Sequence, residues 1–267
     1  MVRPIERLGG RLIGLIRFVG SFTLLLKSMF GMTPRMVYVK RGRRLAWENM
    51  WYQLYRVGVR SIGVVGLVTF CIGAILSLQI GPILSKYGAG QQLPMVIGIA
   101  MFRELGPLIG AIVLTGFAGA SIAAELGTMA VGEELKALRS HAISPVRFLV
   151  VPRVLATIIM TMCLAVLSDM TGVIGGMFAA QLTQGMSYAV YMDVTFAAIS
   201  MRDFITGIFK AGVFGMFIGG LACYYGMNVR GGAQGVGAAT TQTVVISIVS
   251  LVMVDLFFTF VFYSLNW

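Results

Sequence analysis

Long, unbroken apolar runs alternate with short polar stretches along most of the chain. The apolar runs cover about 57–84, 93–124, 154–180, 204–225 and 244–263. Each reaches or exceeds the ~20 residues that a helix needs to cross a bilayer core. They are continuous rather than alternating, the pattern of spanning helices and not of barrel strands. A helix satisfies its own backbone, which lipid cannot do, so five membrane-spanning helices are expected. Gly81-Pro82 is expected to end the first span. The second would be about 48 Å long as one straight helix, more than a ~30 Å core requires. Arg103-Glu104-Leu105-Gly106-Pro107 interrupts it, and a break or kink is predicted there, because proline removes a backbone donor. The intervening stretches read as loops: 86–92, 125–147, 181–203 and a glycine-rich 226–243.

The first 56 residues have a different pattern. Over 5–30, Leu8, Leu12, Leu15, Val19, Phe22 and Leu26 recur at three- and four-residue steps, while Arg3, Arg7, Arg11 and Arg17 gather on another face. A basic amphipathic helix of this kind lies in the membrane surface. Arg35, Lys40, Arg41, Arg43 and Arg44 follow, with Trp47, Trp51, Tyr52 and Tyr55 beside them. Basic residues mixed with aromatic ones mark the headgroup layer. The chain therefore divides into an interfacial region, 1–56, and a membrane domain, 57–267.

Composition agrees: 58% of the residues are hydrophobic and 12% are charged. The net charge of +11 could suggest nucleic acid, but its distribution does not. Twelve of the 21 Lys and Arg lie at or before Arg60, as on a cytoplasmic flank facing anionic lipid. The amino terminus is thus expected in the cytoplasm, with the loops carrying Lys136, Arg139, Arg147, Arg153 and Arg230. The loops at Lys86 and Asp193, and the carboxyl terminus, face outward. Cys71, Cys163 and Cys223 all fall in apolar runs and read as packing residues. The single histidine, His141, has no partners for a metal site. Neither a G-x-x-x-x-G-K-[ST] phosphate loop nor a hydrolase signature occurs, so no cofactor is expected and any ATP is bound by another chain.

Five ionisable residues interrupt the spans: Arg103, Glu104, Asp169, Lys210 and Asp255. Each is costly in hydrocarbon unless paired or hydrated. The topology puts all five between the midplane and the outer surface. Two arrangements fit, and they can coexist. One is a polar cavity open to the outside, suited to an amphiphile. The other is a set of structural pairs, such as Arg103 with a neighbouring carboxylate and Lys210 with Asp255. Glycines four apart, Gly106 with Gly110, Gly172 with Gly176 and Gly215 with Gly219, let helices approach closely. They serve either a subunit interface or packing within one chain.

The stretch 103–156 is the most specific. In its polar part, 131–141, Glu133, Glu134, Leu135, Lys136, Leu138 and Arg139 form a short charged helix between two spans. Such a helix suits docking on a soluble partner, and a solvated connector fits the same periodicity equally well. This stretch, with the run 121–129 (Ser121, Ala124, Glu125, Gly127 and Met129 among it), Pro145, Pro152-Arg153, Lys210, Asp255 and Thr240-Thr241, resembles the MlaE/YrbE permease family of ABC transporters. The resemblance covers nearly the whole chain from Gly14 onward.

The resemblance implies an all-α permease that works as a homodimer with two copies of a separate ABC ATPase. It implies an MCE-domain protein on the outer side, often a small STAS-domain protein, and phospholipid as cargo. The location implied is the bacterial inner membrane. The Glu104 region corresponds to the family's lipid-pocket side and 133–139 to the helix that couples to the ATPase. Three positions depart from the family. Phe117 stands where many members have arginine, Lys136 and Arg139 stand where acidic residues are common, and His141 replaces an apolar residue. An ion-coupled secondary transporter, with Asp169, Lys210 and Asp255 as a relay, and a structural membrane anchor are the alternative classes.

Overall fold

A computed structural model describes residues 43–265 and isolated positions between 20 and 31. The surface helix expected over 5–30 therefore lies largely outside the described residues. Helix α1 (Arg43–Gly58) runs through one tight turn, Val59–Ser61, into α2 (Ile62–Lys86). The second apolar region forms α3 (Gly90–Val131), the short α4 spans Glu134–Ser140, and α5 spans Val146–Gln184. Helix α6 (Tyr188–Ala198), α7 (Met201–Met227) and α8 (Gly232–Ser264) complete the chain. Five of these stretches are long and apolar enough to cross a membrane, and no strand occurs among the described residues. The protein is an all-α, multi-pass membrane protein.

Helix α5 is the hub. It packs against α1, α2, α3 and α7, and 61% of its most apolar stretch is buried, against 11% for α8. Because α8 packs mainly on α3 and α7, most of its surface is left to lipid or to another chain. The glycine pairs explain the central contacts. A Cβ on Gly215 would meet the Thr157 carbonyl at 2.7 Å, and one on Gly219 would meet Thr157 Oγ1 at 2.2 Å. Gly172 takes the Met101 side chain and Gly176 the Tyr191 hydroxyl, while Gly106 and Gly110 face Asp169 and Ser168. All three pairs thus serve packing within the chain. Most buried Ser and Thr hydroxyls return to their own helix, Ser77 and Ser247 excepted: Thr115 donates to the Ala111 carbonyl at 2.9 Å and Thr161 to Thr157 at 2.6 Å. One pair bridges helices, Thr69 and Thr171, with hydroxyl oxygens 2.6 Å apart. With no water in the core, these bonds keep polar atoms satisfied.

Several expectations from the sequence need correction. Gly81-Pro82 does not end the first span, since the helix continues to Lys86 with Pro82 inside it. The glycine-rich stretch is not a loop. Helix α8 begins at Gly232, and the turn before it uses positive φ at Gly231 (92°) and Gly232 (69°), a conformation natural to glycine. The remaining glycines sit inside the helix, where small residues are tolerated because lipid offers the backbone no alternative partner. The loop expected over 181–203 holds a helix, α6, and the polar segment after the second span is helical as far as Val131.

The interruption in α3 is real but is not a break. Met101–Leu105 and Thr115–Gly119 form wide, π-type turns inside a continuous helix. The first follows from Pro107, which lacks an N–H. The Gly106 N–H reaches back to the Met101 carbonyl, and the next carbonyl, Phe102, has no N–H from Pro107 to accept. Gly207 of α7 approaches that carbonyl so closely that a Cβ would lie 2.3 Å from it. A third wide turn, Val146–Val150, precedes Pro152 in the same way.

Close helix approach makes a sharp prediction. A Cβ on Gly175 would meet the Phe70 carbonyl at 2.0 Å, whereas Gly63 has nothing within 4 Å. Gly175→Leu should cost about 2 kcal/mol or more through overpacking between α2 and α5, lowering the thermal midpoint of the purified protein. Gly63→Ala should leave it unchanged.

Candidate functional site

The wide turn at Met101–Leu105 sets the site. A π turn inserts an extra residue into the helical register and re-aims the side chains around it. Here it carries Arg103 and Glu104 to the side where α7 and α8 pass. Lys210, on α7, is 1% exposed. Its ammonium donates to Glu104 Oε2 at 2.6 Å and to Thr259 Oγ1 at 3.0 Å, and lies 3.1 Å from Asp255 Oδ1. Thr259 Oγ1 also lies 2.9 Å from Glu104 Oε1 and from the Asp255 carbonyl. The Phe262 ring, centred 5.9 Å from the ammonium, closes one side. Three helices thus contribute to one polar knot.

A second pair lies beside it. Arg103 Nε donates to Asp203 Oδ1. Asp203 is held by a capping box at the start of α7: its Oδ2 accepts from the Ser200 N–H at 2.9 Å and from the Ser200 hydroxyl at 2.8 Å. Arg103, Glu104, Arg202, Asp203, Lys210 and Thr259 together line a cavity of about 150 Å³. Arg103 keeps nearly half of its side chain exposed (46%), and Arg202 is exposed as well. The cavity therefore offers two accessible guanidinium groups above a buried ammonium, with the carboxylates of Glu104 and Asp203 beside them and Asp255 behind the ammonium.

The five intramembrane charges separate into two groups. Arg103, Glu104, Lys210 and Asp255 come together, and the suggested pair of Lys210 with Asp255 is present with Glu104 as its third member. The carboxylate paired with Arg103 is Asp203. Asp169 does not line the cavity. It is 2% exposed, lies against Gly106, and its Oδ1 has no hydrogen-bond partner among the described residues. It occupies the same depth but points into the α3–α5 contact.

At the other end of the spans, Glu125 joins two arginines. Arg56 Nη1 bonds Glu125 Oε2 at 2.5 Å and Arg56 Nη2 bonds Ser121 Oγ at 2.8 Å. Arg153, 3% exposed, reaches Glu125 Oε1 at 2.9 Å. This network, like Asp203 and Thr259, is not among the site residues expected from the sequence, although Ser121, Glu125 and Arg153 belong to the stretch that carries the family resemblance. The Ser200-x-x-Asp203 spacing does carry a readable signal, that of a helix cap. Glu125 sits inside the family-like run, but its charge alone reads as the start of a polar loop.

On the short helix α4, Glu133 and Lys136 form an exposed bridge at 2.5 Å. The hydrogen bond from Lys136 and its charge hold the Glu133 carboxyl below the usual carboxylate range. Glu134 and Arg139 are also exposed. Leu135 is buried and Leu138 partly so, and both pack against the chain's own core. They anchor the helix, and its charged face is what a partner would meet. Among the described residues, no cluster of His, Cys, Asp and Glu could hold a metal ion.

Five apolar spans, a charged helix displayed between two of them and a polar cavity held by three define a transmembrane permease. Residues 50–261 match the family model of the MlaE permease, and the chain belongs to that family. It is 38% identical over 212 residues to a probable ABC transporter permease protein of Rickettsia felis, covering 79% of this chain and 82% of that one. A probable ABC transporter permease protein of Rickettsia bellii is 34% identical over 257 residues, 96% of each. Protein TRIGALACTOSYLDIACYLGLYCEROL 1, chloroplastic, of Arabidopsis thaliana is 32% identical over 212 residues, 79% of this chain and 61% of that one. The chain is thus a permease subunit of an ABC transporter, a class in which an ATPase is the partner.

The buried knot predicts an asymmetric mutational response. Lys210→Met removes the cation from two carboxylates and should destabilise the protein by about 3–5 kcal/mol. Adding Glu104→Gln and Asp255→Asn should restore a large part of the loss. Thermal unfolding of the three proteins in one detergent measures both effects.

Proposed function

We propose that this permease moves phospholipid, or a lipid of related headgroup chemistry, between the inner membrane and the space outside it. The observation that carries the reading is the cavity lined by Arg103, Glu104, Arg202 and Lys210. It opens among apolar helices, so a ligand must present a charged head and tolerate a greasy surround. Arg103 and Arg202 suit a phosphate, because guanidinium forks match its oxygens. Glu104, fixed by Lys210, suits a cationic or hydroxylated part of the same head. The Arabidopsis relative carries a galactolipid in its name, which is consistent with lipid cargo.

In this reading the amino terminus and α4 face the cytoplasm, and the ATPase meets the exposed residues Glu133, Glu134, Lys136 and Arg139. Closure of the ATPase would push on α4. That helix is tied through Leu135 and Leu138 to the core formed with α3 and α5, and α3 carries Glu104 at its other end. The second copy of a homodimer would cover part of the apolar ridge of α8, where Val249, Met253, Leu256 and Phe260 are exposed. An MCE-domain protein would receive the lipid on the outer side, and a STAS-domain protein would act with the ATPase. Binding energy at the cavity has to differ between the states that the ATPase imposes, or no work is done on the lipid.

Charge reversal on α4 tests the coupling. Glu133→Lys with Glu134→Lys, added to Lys136 and Arg139, makes the exposed face uniformly basic. Like charges across a contact cost several kcal/mol. The ATPase should no longer co-purify in equal copies, and lipid-stimulated ATP hydrolysis in the reconstituted complex should fall at least about tenfold. Unchanged hydrolysis would remove α4 from the coupling path.

A further inference from the structure

A second polar recess lies at the opposite end of the spans from the Glu104 cavity. It is a notch of about 30 Å³ between α1 and α3, lined by Gln53, Arg56, Arg60, Phe117 and Ser121 among others. Gln53 is 1% exposed, and its Oε1 has no hydrogen-bond partner among the described residues. A buried acceptor without a donor is uncommon and calls for an unseen partner. Arg56 is locked by its bonds to Glu125 and Ser121, whereas Arg60 is exposed and forms no ion pair among the described residues. Phe117, 41% exposed, supplies an apolar wall. Trp51, Tyr52 and Tyr55, all exposed on the same helix, mark the headgroup layer.

We propose that this notch is a second headgroup site, for a phospholipid of the opposite leaflet whose headgroup bears a hydrogen-bond donor. The notch is small, so it admits the terminal group of a headgroup and not a whole lipid. An ammonium or a hydroxyl there would donate to Gln53 Oε1. The adjoining phosphate would then lie at the mouth against Arg60 and the free edge of Arg56, with an acyl chain along Phe117. Excess positive charge favours this placement. Arg56 and Arg153 share one carboxylate, Glu125, and Arg60 has none among the described residues, which leaves net charge for a phosphate to neutralise. Arginine in place of Phe117 would remove the apolar wall, so the phenylalanine changes what the recess can hold. The proposal rests on reading the chain as a lipid-handling protein, but not on the Glu104 cavity.

The donor requirement makes the proposal testable in the assembled transporter. Complexes are reconstituted in nanodiscs of phosphatidylethanolamine or of phosphatidylcholine, which has no headgroup donor, and the lipid retained after extraction is counted by native mass spectrometry. Arg60→Ala should weaken retention of both lipids about tenfold, the loss of one charged hydrogen bond. Gln53→Leu should weaken phosphatidylethanolamine alone, down to the level of phosphatidylcholine. Retention unaffected by Arg60→Ala overturns the site. Equal weakening of both lipids by Gln53→Leu shows general damage to α1 and also overturns it. Displacement of the lipid by millimolar inorganic phosphate would mark a free-phosphate site and would overturn the lipid site too. The two sites fail separately: Glu104→Gln acts on the cavity and should leave retention at the notch intact.

Discussion

The ammonium of Lys210 is the interaction around which one half of the membrane domain is organised. A lone cation at that depth would be intolerable, so two acids must be brought to it from other helices. Glu104 and Asp255 meet it at 2.6 and 3.1 Å. That requirement fixes α3, α7 and α8 against one another more tightly than apolar contact could, because lipid competes equally well for apolar surface. A buried ion pair is not by itself a source of stability. Here it works as a register device: each of the three helices has only one rotation and one depth that places its charge in the knot.

Reaching the knot requires unusual backbone, and the sequence supplies it locally. Pro107 removes the N–H that the Phe102 carbonyl would accept, the helix widens over Met101–Leu105, and Glu104 turns toward Lys210. The exposed carbonyl is then covered by Gly207, one turn before Lys210 on α7. Any side chain larger than hydrogen at 207 would push the two helices apart where their charges must meet. Proline, glycine and the buried pair therefore form one structural unit, although they lie a hundred residues apart in the chain.

Much of this is legible from residue types. Five spans follow from apolar run lengths, and the pairing of Lys210 with Asp255 follows from the cost of leaving either alone. Arg103-Glu104 marks the interruption correctly, but residue types do not reveal its geometry. Proline in a water-exposed helix usually ends or kinks it, whereas in a bundle the neighbours re-satisfy the backbone and a wide turn results. The same logic hides the start of α8, since glycines that break helices in water merely permit close packing here. Asp203 is hidden by its position at a helix start, where it reads as a cap, and its second role with Arg103 depends on a residue a hundred positions earlier. Leu135 and Leu138 read as part of a docking face because periodicity gives a stripe without saying which way it turns.

The placement of charge along the helices also locates the bilayer. On α3, roughly 16 residues separate Glu104 from Ser121, all apolar or small except Thr115, whose hydroxyl is returned to its own helix. At 1.5 Å per residue they span about 24 Å. On α5, Arg153 and Asp169 are separated by nearly the same interval, and Asp169 touches Gly106, next to the Glu104 layer. Two charged layers thus bracket an apolar slab only slightly thinner than a typical hydrocarbon core. One holds Arg103, Glu104, Arg202, Asp203, Lys210 and Asp255, and the other Arg56, Glu125 and Arg153. Among these residues three acids balance three cations in the first layer, with Asp169 set apart in the α3–α5 contact, while arginine is in excess in the second. The asymmetry matters for an amphiphile, since a phosphate experiences net attraction at one boundary and near-neutrality at the other. On the lipid reading proposed above, a phosphate-bearing head would have to be released from the basic layer before it reached the neutral one, and release is the step that opposes the gradient.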